Sequence, residues 1–104
     1  MKRWYITTPK IAEKVEGHRE HHWVEVGSGY VLVAVHFHGP AEAERFERQD
    51  SVAALGHLGH NHKLDPVAAE ILKDHGVLPT DGAREAVTKL VATTAVHQLF
   101  LGEF

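Results

Sequence analysis

The nine residues YVLVAVHFH, Tyr30 to His38, constrain the fold more tightly than any other stretch. Side chains alternate along a strand, so Val31, Val33, Val35 and Phe37 fall on one face. Tyr30, Leu32, Ala34, His36 and His38 fall on the other. Both faces are largely apolar, which predicts a central strand with a packed layer above and below it. Gly39-Pro40 ends the run, because proline has no N–H to offer a ladder.

Other elements follow from local chemistry. RWYIT (3–7) reads as a strand, and Thr8-Pro9 then supplies an N-cap and an N1 proline for a short helix, KIAEKVE, with Gly17 at its C′ position. HHWVEV (21–26) reads as a second strand, and Gly27-Ser28-Gly29 as the hairpin turn into Tyr30–His38. AEAERFERQ (41–49) is a helix with a narrow apolar stripe of Ala43 and Phe46; Asp50-Ser51 breaks it and VAALG (52–56) is a short buried strand. Asp65-Pro66 opens VAAEILKDH, closed by Gly76, with Val67, Ala68, Ile71 and Leu72 as the apolar face. A last helix, capped near Thr80 or Asp81, carries Ala83, Ala86, Val87, Leu90, Val91 and Thr94 at a 3.6-residue period.

The order is β-α-β-β-α-β followed by two helices. That predicts an α+β protein with a ferredoxin-like antiparallel sheet and two additional C-terminal helices. One domain accounts for all 104 residues. Within it, 1–56 form the βαββαβ core, 57–64 a histidine-rich loop, and 65–104 the C-terminal helices and an apolar tail.

Ten of the 104 residues are histidine, at 18, 21, 22, 36, 38, 57, 60, 62, 75 and 97. In the expected topology the start of the second strand and the ends of the third and fourth meet at one end of the sheet. Eight histidines then gather at one rim: His18, His21, His22, His36, His38, His57, His60 and His62. His36 and His38, two apart on a strand, share a face and can reach one ion. His57, His60, His62, His21 and His22 supply further ligands, and Glu20 or Asp65 a carboxylate or general base. Neutral imidazole selects a divalent transition metal, zinc first, with copper or nickel behind it. Set against this, any one of these histidines is accounted for as a strand residue bonded to a carbonyl or as part of a solvated loop.

Composition removes several functions. The chain has no cysteine, so a disulfide framework, a thiolate metal site and a cysteine nucleophile are excluded. A net charge of −3 without a basic run argues against nucleic acid as a partner. SGYVLVAV keeps the glycine, tyrosine and valine of an RNA-recognition strand at Gly29, Tyr30 and Val33, but lacks its basic residue and later aromatics. MKRWYITTPK is not a secretory signal and no apolar run is long enough to span a bilayer, so no membrane is expected and the location expected is the cytoplasm or a virus particle. No serine or phosphate-loop motif appears, so an enzyme is not the expected reading.

The favoured function is a small soluble module that associates with itself or with a protein partner. Leu99, Phe100, Leu101 and Phe104 in the tail VHQLFLGEF are its interface anchors. The alternative is a histidine-based transition-metal protein: a sensor, a carrier or a small metal-dependent hydrolase.

Overall fold

The structure, a computed structural model, describes residues 1–15, 18–19, 24–55 and 65–101; at 18–19 and 94–101 it describes the backbone alone. Strand β1 (Lys2–Thr7) leads into α1 (Pro9–Glu13), β2 (His18–Arg19), β3 (Val24–Gly27) and β4 (Tyr30–His36). Then come α2 (Pro40–Glu47), β5 (Ala53–Ala54), α3 (Pro66–Asp74) and α4 (Ala83–Leu101). Every pairing is antiparallel: β1 with β4 over Lys2↔His36 to Thr7↔Val31, β1 with β5, and both β2 and β3 with β4. The order across the sheet is β2-β4-β1-β5, and β3 lies beside β4. β2 pairs with the His36 end of β4 and β3 with its Tyr30 end, so the two are successive stretches along one edge.

The two-sided reading of β4 is realised. Val31, Val33, Val35 and Phe37 join Tyr5, Val52 and Ala54 in one core, closed by Ala12 of α1 and by Ala43 and Phe46 of α2. Its centre is aromatic: Tyr5 meets Phe46 edge-on at 4.8 Å between ring centroids and Phe37 at 6.0 Å, the geometry that ring quadrupoles favour. Tyr30 and Leu32 join Ile6, Val24, Val26, Ala53 and Leu55 in a second core. Ala68, Ile71 and Leu72 of α3, with Val77 and then Ala86 and Leu90 of α4, close that one. The chain's own C-terminal helices thus cover the sheet face opposite α1 and α2.

Helix ends follow the sequence cues closely where the cue is local. Thr8 caps α1, its hydroxyl accepting from the Ile11 N–H, and Asp65 caps α3. Gly76 follows the α3 C-cap at φ +77°. There the Gly76 N–H donates to Lys73 O and the Val77 N–H to Leu72 O, both at 2.9 Å. This is a complete Schellman turn, with Val77 and Leu72 buried in the same core. The hairpin turn Ser28-Gly29 takes φ of +51° and +81°, the doubly left-handed turn that matches strand twist.

Several expectations are corrected. α1 stops at Glu13 with Lys14 as C-cap, well short of the stop expected at Gly17. The ladder assigned to β4 ends at His36, so His38 belongs to the bend entering α2 and not to the strand. Val67 and Val91, expected on apolar stripes, are 46% and 39% exposed. Asp81 does not cap α4 in the expected way; it folds back on its own turn, where the Leu78 N–H donates to its Oδ2 at 2.8 Å.

Candidate functional site

The histidines expected at one rim are reached through the ends of the strands. β4 brings His36 to its last position, exposed. Across the sheet His36 lies directly opposite Lys2 of β1 on one side and His18 of β2 on the other. Beyond it Phe37 keeps pairing: its N–H donates to Met1 O at 2.7 Å, and the Met1 ammonium donates to Phe37 O at 2.6 Å. His38 is exposed, and its N–H donates to Glu42 Oε2 at 3.0 Å. Gly39, the N-cap of α2, has no side chain to offer, so Glu42 reaches back from the first turn and satisfies the preceding amide.

A cavity of about 190 Å³ opens beside this end, lined by Lys14, Phe37, Glu42, Arg45, Phe46 and Gln49. It is smaller than the usual pocket for a cofactor or drug-sized ligand. Among the described residues no group of three His, Asp or Glu converges as a metal site. His21, His22, His57, His60, His62 and Glu20 lie outside the described residues, as does Phe104. Leu99, Phe100 and Leu101 lie in α4, where the backbone alone is described.

Asp65 sits elsewhere and does something else. Its Oδ1 accepts from the Val67 N–H at 2.8 Å and its Oδ2 from the Ser51 hydroxyl at 3.1 Å. The Val67 amide above all, then the Ser51 and Tyr30 hydroxyls, hold its carboxyl below the usual carboxylate range. Burial foremost, and then Asp65, raise the Tyr30 hydroxyl above the ordinary tyrosine value. Tyr30 and His36 are the two ends of the seven-residue β4, about 20 Å apart at the usual strand rise. The structure therefore does not bring Asp65 together with His36 and His38. A carboxylate engaged at both oxygens and held weakly basic is also poorly suited to take a proton from a nucleophile.

One histidine that the sequence reading left without a role is a structural clamp. His75, the C-cap of α3, places Nε2 2.9 Å from the Val26 carbonyl and Nδ1 against the Thr93 hydroxyl. A carbonyl only accepts, so Nε2 carries a proton and the ring ties β3 to both α3 and α4. The one available cue was its place just before Gly76, where a basic side chain commonly meets the free carbonyls of a helix end. The turn after it is pinned as well. Lys89 Nζ of α4 donates to Asp81 Oδ2 at 2.8 Å and to Gly76 O at 3.0 Å.

No family model, curated protein or solved structure matches this chain. Its chemistry is therefore read from its own geometry. Among the described residues no helix is long and apolar enough to cross a membrane.

The two engaged carboxylates carry a pH prediction. The Lys89 ammonium first, and then the Leu78 amide, hold Asp81 below the usual carboxylate range, as the capped amide does for Asp65. A group whose folded pKa is depressed stabilises the fold above its unfolded value, about 3.9, and loses that contribution as pH falls through the folded value. The contribution of these two carboxylates to stability against urea is therefore expected to hold from neutral pH down to about 4 and to be lost below it. The Asp81→Asn variant is expected to be weaker than the parent at pH 7 but to converge on it at the acid end. Urea midpoints across that range check this, and a constant offset at every pH contradicts it.

Proposed function

We propose that this chain is a small assembly module that associates with a second copy of itself through the distal half of α4. The observation that carries this is the order of residue types along α4 once the stripe buried by its described side chains is continued to the helix end. α4 runs 19 residues, about 28 Å at 1.5 Å per residue. Its core stripe is Ala83, Ala86, Val87 and Leu90, and Val91 is already exposed. Continued at about 100° per residue, that stripe passes through Thr94, His97 and Leu101. The positions of Ala95, Val96, Leu99 and Phe100 lie well off it. Two of the three positions on that line, Thr94 and His97, carry polar residues and only Leu101 an apolar one, whereas Val96, Leu99 and Phe100 stand off it, which departs from the pattern of a helix packed along its whole length on its own domain. A second copy covering those positions removes the conflict, and a symmetric pair of helices is the simplest closed arrangement.

The sheet itself we read as ferredoxin-like. If β2 and β3 are counted as two pieces of one interrupted strand, the order across the sheet is second, third, first, fourth, with α1 and α2 as the crossovers. That order supports the split βαβ reading, with α3 and α4 as the additional layer.

The test is solution mass by light scattering on the full chain, beside a Leu99→Glu/Phe100→Glu variant. The expected result is a mass of at least twice 11.6 kDa for the parent and 11.6 kDa for the variant, with unchanged circular dichroism. A parent at the monomer mass overturns the proposal, as does a variant that keeps the parent's mass.

A further inference from the structure

The register of the sheet places two histidines face to face. His18 of β2 and His36 of β4 are direct partners in an antiparallel pair. Residues so placed occupy the same face of a sheet with Cβ atoms about 4.5–5.5 Å apart. Two imidazoles at that spacing span one ion at the usual metal–nitrogen distance of about 2.0–2.1 Å. We propose that His18 and His36 form a two-histidine site for a divalent transition metal at the end of the sheet, with water filling the remaining positions.

Two observations support the pair. His36 is exposed, so an ion reaches it without opening the core. Lys2, its neighbour on the opposite side, carries its ammonium over the Trp4 ring, 5.2 Å from the centroid. Its charge is thereby drawn along β1 toward an aromatic face that attracts cations. The pair exists only when β2 and β4 are in register, so an ion held by it binds the folded chain and not the unfolded one. Loose histidines bind metal in either state. Stabilisation by metal, rather than metal binding, is therefore the diagnostic.

The experiment is thermal unfolding of the full chain in excess zinc chloride and, separately, in EDTA. The parent is expected to melt several degrees higher in zinc. His18→Ala and His36→Ala should each abolish that rise, because half of a chelating pair holds an ion far more weakly. A His57→Ala/His60→Ala/His62→Ala variant should keep it. His18→Gln and His36→Gln, which retain a polar side chain, are measured alongside, and melting in EDTA shows that each variant is folded. Absence of a rise in the parent overturns the proposal. So does a rise that survives either single substitution, or one that disappears in the triple variant.

Discussion

The Leu90→Ala variant is expected to lose about 2–5 kcal/mol of stability, the range for removing a large aliphatic side chain from a core that cannot fully collapse around the gap. Leu90 is fully buried and, among the described side chains of α4, is with Ala86 one of two wholly enclosed in the core on the sheet face opposite α1 and α2. The same core draws Leu32, Leu72 and Val26 from three other elements, so closing the gap would require several elements to shift together. The control is one residue away. Val91→Ala, at a side chain 39% exposed, is expected to change stability by no more than about 0.5 kcal/mol. Chemical denaturation of both variants decides the matter. A cost near that of Val91→Ala at Leu90 would mean that α4 does not seat on the sheet, and with it would go the argument that this face is covered from within the chain.

That face was legible in the sequence because β4 states its environment residue by residue. Alternation across a strand is a strict geometric rule, so Val31, Val33 and Val35 had to meet one layer and Tyr30 and Leu32 another, as they do. Caps were legible for a related reason: Thr8-Pro9, Asp65-Pro66 and Gly76 act on backbone within a few residues of themselves. What failed were quantities set by tertiary context. A helical period shows which residues share a stripe but not how wide a stripe the neighbouring layer covers. Val67 and Val91 sit at its margins and are left in water. The end of α1 at Glu13 lies in a run, KIAEKVE, whose side chains all favour or tolerate continued helix.

The candidate site was legible only in outline. Strand order alone set His36 at the end of β4, but naming His18 as its direct partner needed the register. Asp65 illustrates the opposite error. The Asp-Pro pair that marked it as a cap was visible, and a capping carboxylate is already engaged, so its offer as a metal or proton ligand conflicted with a signal in the same two letters. His75 and Val26 are 49 positions apart, and nothing local announces such a contact.

The largest polar effect is expected at Glu47, again invisible from sequence. Arg3 of β1 and the Tyr5 hydroxyl both donate to Glu47 Oε2, at 2.7 and 2.6 Å, across more than forty residues of chain. Tyr5 is fully buried, and burial first, with Glu47 second, pushes its hydroxyl far above the ordinary tyrosine range. It therefore stays protonated and needs an acceptor at every pH the fold survives. Glu47→Ala removes that acceptor and is expected to lower stability by about 2–3 kcal/mol, the cost of leaving a buried donor unsatisfied. Tyr5→Phe removes the donor instead and leaves Glu47 with Arg3, for about 1 kcal/mol. The double variant should cost less than the two singles together, because once the hydroxyl is gone the missing carboxylate strands nothing in the core. Strict additivity in that cycle would mean that the hydroxyl finds another partner and that the 2.6 Å contact contributes little to holding α2 on the sheet.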